Sequence, residues 1–162
     1  MTVLWPGLRG YEYSVAYARE WLPIISQNPT VTNVLLFTAS VHLETLRGPG
    51  SLSRKKIRFE QLYHKGEAIR GVNDALHDPN YRPSDDLIQN ILFLAMNETR
   101  EEEEPPDPSP FVAPPLQNVE WLGIYGGRNY VMSHINAVQE MIKRRGGTRN
   151  LKTFGLPWLI SM

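Results

Sequence analysis

Four histidines are the residues of this sequence best suited to metal binding or proton transfer near neutral pH. A metal site on a helix needs two ligands three or four residues apart, and none of the histidines is paired in this way. His42 and Glu44 are two residues apart, so they point in different directions on a helix. We therefore predict no metal and no cofactor. The histidines are His42, His64, His77 and His134.

Carboxylates are the other candidates for acid–base chemistry. Asp85 and Asp86 directly follow Ser84, and a helix start with a serine cap and two acids accounts for them. Glu98 ends an apolar helix and could act as a general base if it is buried beside His134. The structural role is favoured, so no catalytic residue is assigned. The alternative is a small helical enzyme or small-molecule-binding protein, whose candidate pocket consists of Glu98, Trp121, Tyr125, Tyr130 and His134.

Two basic clusters and one glycine-rich stretch could contact phosphates. Residues 123–128 lack the spacing and the lysine of a P-loop, so a plain turn is favoured there. The basic clusters, residues 54–58 and 143–145, lack the interleaved aromatic residues used for single-strand binding. We interpret both as solvated helix faces.

One helix, at residues 129–145, is predicted from both its interior and its end. Its apolar residues recur at three- and four-residue steps, which places them on one helix face. Lys143, Arg144 and Arg145 follow in the last turn, where cations complement the helix dipole. Gly146 and Gly147 can then adopt the left-handed conformation that closes a helix. His134 lies beside the apolar stripe and is expected to be partly buried and hydrogen-bonded.

Other helices are predicted along the first hundred residues. The first spans about residues 14–25, with Trp21 and Leu22 facing inward, and Pro23 is expected to end or kink it. A central helix over residues 31–46 is capped by Thr30 or Thr32. The longest helix covers residues 51–78 and carries an apolar seam, with charged residues around it. The seam consists of Phe59, Leu62, Gly66, Ile69, Val72 or Asn73, and Leu76.

Residues 99–118 interrupt the helical pattern with four consecutive glutamates and a run of prolines. Such a segment forms neither a sheet nor the interior of a helix, so a flexible acidic, proline-rich insertion is predicted. Near the end of the sequence, Pro157 could sit in the first turn of a last short helix. The fold class is therefore all-α, with four to five packed helices in a single domain over residues 1–162.

Composition narrows the function classes further. Seventeen basic and seventeen acidic residues give a net charge of zero, so bulk attraction to nucleic acid or acidic membranes is not supported, and direct DNA binding is not expected. Cysteine is absent, which excludes disulfides and thiolate zinc sites. No apolar run is long enough for a membrane span, and the first residues do not form a signal peptide. We expect a nuclear or cytoplasmic protein.

Several segments in order resemble a known family. Trp21-Leu22-Pro23 with residues 36–43, residues 63–78, and residues 84–98 are similar to successive helices of the regulatory region found downstream of the zinc cluster in fungal transcription factors. His134, followed by Arg145-Gly146-Gly147, resembles a recurring motif of that region. The resemblance covers most of residues 20–160.

The resemblance implies an all-helical regulatory or protein-interaction domain that is not an enzyme. The family defines no catalytic residues, so none is carried over. Without the zinc cluster, and with the sequence stopping at Met162, we expect a short stand-alone relative that binds a protein partner or forms a homodimer; a small-molecule ligand is an open alternative. The candidate interface is an apolar segment that little remaining chain can cover. It consists of Phe154, Leu156, Trp158, Leu159 and Ile160.

Overall fold

The computed structural model describes residues 11–47, 54–98 and 130–161, with side chains described for residues 18–44, 56–98 and 130–161. These ranges contain helices and no β-strand, which confirms the all-α prediction. The predicted insertion at residues 99–118 lies outside the described residues. No helix in the described ranges is long and apolar enough to cross a membrane. The helices are α1 (Tyr11–Gln27), α2 (Pro29–Arg47), α3 (Arg54–His77), α4 (Asp85–Met96), α5 (Met132–Arg144) and α6 (Leu156–Ile160), with a 3-10 turn at Thr148–Asn150.

Helix α1 continues through Pro23 to Gln27, so of the two predicted effects of Pro23, an end or a kink, the end does not occur. Proline lacks the N–H that would bond to the carbonyl four residues earlier, but helical bonding is present again at Asn28, whose N–H donates to the Ile24 carbonyl at 3.0 Å. Trp21 is fully buried as expected. Leu22, the next residue, is 52% exposed, because only one side of α1 meets the core.

Asn28 separates α1 from α2 and caps the second helix. Its side-chain oxygen accepts hydrogen bonds from the backbone N–H groups of Thr30, at 3.0 Å, and Val31, at 3.4 Å. Pro29 occupies the first turn, where a missing N–H has no cost. The cap is therefore Asn28 rather than Thr30 or Thr32, and α2 begins two residues earlier than predicted.

Helices α2 and α3 run antiparallel in close contact. Asn33 meets His64 at 2.8 Å, whereas Glu44, further along α2, accepts from Gln61, which is earlier on α3, at 2.9 Å. Gly71 allows the closest approach, because a Cβ atom built there would lie 2.1 Å from the hydroxyl oxygen of Thr30. The two backbones could not come this near with a larger residue at position 71.

The apolar seam predicted on α3 faces away from the core, except that of the two alternatives at positions 72 and 73, Val72 is buried and Asn73 is exposed. We define the α3 seam by the six residues at three- and four-residue steps from position 59 to position 76. Phe59 and Leu62 in this seam are 73% and 69% exposed. The buried side of α3 is instead formed by Ile57, Gln61, Ala68 and Val72. Periodicity shows which residues share a face, but a neighbouring helix decides which face is covered. The α3 seam consists of Phe59, Leu62, Gly66, Ile69, Asn73 and Leu76.

Helix α4 lies at the centre of the core, and every residue from Leu87 to Ala95 is buried. Helices α2, α3 and α5 all pack against it. Helix α5 contributes one apolar face. The remaining side is closed by α6 and by residues 145–155, which we call the C-terminal turn. The buried apolar residues of these last elements are Val138, Met141, Ile142, Leu151, Leu156 and Leu159.

Two glycines of α3 give a matched test of the α2–α3 contact. Gly71→Ala should lower the free energy of unfolding by at least about 1–3 kcal/mol, because its methyl group would overlap Thr30. Gly66→Ala should raise it by roughly 0.5–1 kcal/mol, since no atom lies within 4 Å and alanine favours helix. Urea unfolding followed by circular dichroism, at one protein concentration, measures both. Equal effects at the two positions would contradict the close approach.

Candidate functional site

The start of helix α4 gathers polar side chains from distant parts of the chain. Ser84 caps the helix by accepting the Leu87 N–H at 3.1 Å, and Asp85 and Asp86 occupy the first turn. This confirms the predicted helix start. Acidic residues at this position are stabilised by the positive end of the helix dipole.

Asp85 makes contacts that its position at a helix start does not predict. One carboxylate oxygen lies 2.5 Å from the Nη1 atom of Arg145, and the side chains of the two residues are only 11% and 21% exposed. The other oxygen accepts the backbone N–H groups of Lys152, at 2.6 Å, and Thr153, at 2.7 Å. Each oxygen of the carboxylate therefore holds a different part of the C-terminal turn.

Arg145 is the centre of the C-terminal turn rather than part of a solvated basic face, so that prediction is wrong for this residue. Its guanidinium donates to the carbonyl oxygens of Pro83 and Asn150, both at 2.8 Å. The Asn150 side chain in turn donates to the Arg145 carbonyl at 2.6 Å. The neighbouring Lys143 and Arg144 are exposed, as predicted.

Gly146 and Gly147 place Arg145 in this position by closing helix α5. Their φ angles are 85° and 103°, values that residues with a side chain rarely adopt. The Gly147 N–H donates to the Ile142 carbonyl at 2.9 Å, which satisfies one of the free carbonyls at the helix end. The glycine-closed helix end predicted after residue 145 is confirmed.

Asp86 and two aromatic residues connect the same region to the first helices. Asn28 donates to the Asp86 carboxylate at 3.2 Å, and this contact joins the α1–α2 corner to α4. The indole N–H of Trp21 donates to the Phe154 carbonyl at 3.0 Å, and its ring stacks on Phe93 at a centroid distance of 6.3 Å. We call the polar residues of this region the α4 junction. They are Asn28, Ser84, Asp85, Asp86 and Arg145.

The α4 junction is suited to positioning rather than to catalysis. Both oxygens of Asp85 are engaged by protein groups, and the guanidinium of Arg145 contacts three protein oxygens. A catalytic carboxylate has to reach substrate or water. Among the described residues there is no cluster of three or more His, Cys, Asp or Glu side chains that could hold a metal ion.

No hydrogen bond or ion pair joins the described members of the predicted pocket to one another. Glu98 forms an ion pair with Lys65 of α3 at 2.5 Å, and both side chains are partly exposed to solvent. Tyr130 is 46% exposed, and His134 is half-buried with its Nδ1 atom making no hydrogen bond. The hydrogen bond expected for His134 is therefore not made through Nδ1. The remaining members, Trp121 and Tyr125, lie outside the described residues.

The five residues of the predicted interface divide between core and surface. Leu156 is fully buried and Leu159 is 9% exposed, so both belong to the core of the chain. Phe154 and Trp158 are 37% and 43% exposed, and Ile160 is half-buried. A short helix lying on the core covers one of its sides and leaves the other accessible. Only the outward residues could take part in an interface, which stays a prediction.

Comparison with known proteins identifies the family to which the chain belongs. The sequence profile described as "Fungal specific transcription factor domain" matches residues 11–162, nearly the whole chain. The chain belongs to this family. No curated protein and no solved structure matches the sequence. The resemblance found in the sequence is thereby confirmed, and family membership supports a regulatory role.

The core of this transcription factor domain contains polar residues that sequence analysis missed. Gln89 is fully buried and Asn90 is 2% exposed, and both lie within the most apolar helix. Neither amide atom of Gln89 makes a hydrogen bond, and the Asn90 oxygen makes none either. Their signal in the sequence is two adjacent amides inside the pattern of Leu and Ile residues. Burial without a partner makes them a cost to stability.

Replacing Arg145 tests the α4 junction. Arg145→Ala should lower the free energy of unfolding by about 3 kcal/mol, because it leaves the nearly buried Asp85 carboxylate without its cation. The matched control is Arg144→Ala: Arg144 pairs with Glu140 at 3.1 Å, but the side chains are 64% and 55% exposed. That change should cost no more than about 0.5 kcal/mol. Urea unfolding distinguishes the two, and similar losses would show that Arg145 does not organise the turn.

Two buried glutamines test the polar core. Gln89→Met should raise the free energy of unfolding by about 1 kcal/mol, because it removes a buried amide that has no partner. Gln61→Met should lower it, since Gln61 is also buried but donates to Glu44 at 2.9 Å. Thermal unfolding of both variants gives the signs. Destabilisation by Gln89→Met would mean that its amide has a bonding role in the folded protein.

Proposed function

We propose that this chain is a non-catalytic regulatory domain that controls transcription through contacts with proteins. The observation that carries the proposal is the family match over residues 11–162. The contacts of the α4 junction support it, because Asp85 and Arg145 form an ion pair with each other and each makes hydrogen bonds to backbone groups. Such an arrangement holds a scaffold in place and leaves these groups unavailable for a reaction.

The net charge of the chain argues against direct DNA binding as the means of regulation. The net charge is zero, so the chain has no overall attraction to the phosphate backbone. The 162 residues also contain no cysteine, and they therefore hold no thiolate zinc cluster. We propose that regulation is exerted in the nucleus on a protein that itself binds DNA.

A small-molecule ligand is the alternative function that the sequence leaves open. The described pocket candidates do not favour it: Glu98 is paired with Lys65, and Tyr130 is nearly half exposed. A ligand site usually combines an apolar cleft with convergent polar groups. No such convergence is seen in the part of the chain that the structure describes, so the regulatory function is preferred.

A reporter experiment tests the regulatory function. The whole chain is fused to a DNA-binding module from another protein and expressed in a fungal cell that carries that module's site upstream of a reporter. Recruitment of the transcription machinery or of a repressor should change reporter output several-fold relative to the module alone. Arg144→Ala should keep the effect, whereas Arg145→Ala should weaken it through loss of the fold.

Protein levels of all fusions must be matched by immunoblot. An unchanged reporter with a folded, well-expressed fusion would contradict the regulatory proposal. A gel shift of DNA by the isolated chain at low salt would contradict the proposal that it acts through proteins.

A further inference from the structure

The charges of the chain are divided unevenly along its sequence. Residues 1–98 contain ten acidic and ten basic residues, so this part carries no net charge. Residues 99–129 contain six acidic and two basic residues, whereas residues 130–162 contain one acidic and five basic residues. Two neighbouring segments therefore carry net charges of −4 and +4. The neutrality of the whole chain is the result of an acidic and a basic segment of equal charge, and opposite charges attract each other.

The fold brings exposed cations of the basic segment together at the end of helix α5. Lys143 lies in the last turn of this helix, Arg149 and Lys152 lie in the C-terminal turn, and all three are exposed. The C-terminal turn folds back on the helix end, because Arg145 donates to the Asn150 carbonyl at 2.8 Å and the Asn150 side chain donates to the Arg145 carbonyl at 2.6 Å. The three cations therefore surround one turn of the chain.

A fourth exposed cation comes from a distant part of the sequence. Arg82 is exposed and precedes Pro83, whose carbonyl accepts a hydrogen bond from the Arg145 guanidinium at 2.8 Å. This contact places Arg82 beside the C-terminal turn. We call the four exposed cations the basic patch. They are Arg82, Lys143, Arg149 and Lys152.

The acidic side chains described around the basic patch have other partners. Asp85 pairs with Arg145, and its side chain is only 11% exposed. Asp86 accepts a hydrogen bond from the α1–α2 corner at 3.2 Å. Glu140 pairs with Arg144 at 3.1 Å, so these two charges offset each other. Within the described part of the chain, no ion pair includes a member of the basic patch, and its four charges are left to be balanced by an anionic group from elsewhere.

The acidic segment starts close enough to the basic patch to reach it. It connects the end of α4 to the start of α5, and these ends are adjacent because the Val131 N–H donates to the Ala95 carbonyl at 3.2 Å. The twelve residues of α4 separate these ends from the basic patch by about 17 Å at 1.5 Å per residue. The four glutamates at positions 101–104 follow Glu98 by three to six residues, which extend up to about 20 Å. Residues 105–129 are more than long enough to return to α5.

Covalent connection favours this occupant over a separate molecule. A tethered ligand has an effective concentration on the order of millimolar, which a free acidic protein would have to match. Nucleic acid is a poorer fit, because no aromatic residue is interleaved with the cations between positions 143 and 152 and the chain has no net positive charge. The run of four glutamates, in contrast, offers one carboxylate for each cation of the basic patch.

We propose that the glutamate run at positions 101–104 binds the basic patch of its own chain. The contact neutralises the patch and holds the acidic segment beside the α4 junction. Exposed ion pairs are individually weak and are screened by salt, so the contact depends on several pairs forming together and weakens as the salt concentration rises. The proposal goes beyond the regulatory function proposed above and does not depend on it, because the contact is made within one chain.

Zero-length cross-linking of the whole chain tests the contact. A carbodiimide joins a lysine amine to a carboxylate as an amide only when the two groups touch. Mass spectrometry of the digested monomer should show Lys143 or Lys152 joined to a glutamate of the run at low salt. The yield should fall at least about fivefold in 1 M salt, where the screening length is only about 3 Å. Lys56 is the internal control: its side chain is 81% exposed on α3, and it should not be joined to the run.

A second measurement uses cleavage by a glutamate-specific protease at one fixed salt concentration. Removing the charge of the basic patch should speed cleavage within the run several-fold, because the run is then no longer held on the surface. The control removes the same number of exposed cations elsewhere and should leave the rate unchanged. Circular dichroism should show equal helix content for both variants. The patch variant combines Lys143→Gln, Arg149→Gln and Lys152→Gln, and the control combines Arg19→Gln, Lys56→Gln and Arg70→Gln.

The remaining outcomes identify other occupants and would overturn the proposal. Isotope-labelled and unlabelled chains are mixed before cross-linking, and links that join a labelled to an unlabelled peptide would show that a second copy covers the patch. A short DNA duplex that removes the links at an equal molar concentration would make nucleic acid the occupant. Absence of links to Lys143 and Lys152, equal linking to Lys56, or equal cleavage of the patch and control variants would show that the run does not bind there. A change in reporter output without these links would remove the intramolecular contact alone.

Discussion

The carboxylate of Asp85 is the contact on which the arrangement of the described elements depends. One oxygen holds the guanidinium of Arg145, and the other accepts two backbone N–H groups at the far end of the C-terminal turn. A largely buried charge is stable only when its partners stay in place. Because Asp85 also belongs to the first turn of α4, the ion pair fixes the end of α5 against the start of the central helix.

The surrounding elements follow from the position of α4. A helix that is apolar on all sides needs neighbours on every side. The α1–α2 corner reaches it through Asn28 and Asp86, while the stacked rings of Trp21 and Phe93 fill the space beside them. The indole N–H of Trp21 also donates to the Phe154 carbonyl, so α1 contacts the turn that leads into α6. These polar contacts between elements fix the positions of the helices relative to α4.

The described charged groups fall into two sets, those held inside the fold and those that remain accessible on its surface. The charged groups with the least exposure bond to each other or to the backbone. The accessible features include an apolar seam on α3 and the basic side chains Lys143 and Arg144. If this member of the fungal transcription factor domain family acts through contacts with proteins, as we propose, surfaces of this kind are where those contacts would form. The amide of Gln89 differs from these groups, since it lies in the core and makes no hydrogen bond, and the side-chain oxygen of the neighbouring Asn90 makes none either.

The sequence by itself determined the features that depend on residues within about one helical turn. Ser84 with two acids marked the start of α4, and Gly146 with Gly147 marked the end of α5, because caps and glycine conformations are local. The all-helical class followed from periodicity, and the family from the order of several short motifs. Only the tertiary structure decided that Arg145 pairs with Asp85, sixty positions earlier, and that the α3 seam faces outward. Both depend on which helix lies beside which, and that is fixed by the packing of the whole core rather than by neighbours along the chain.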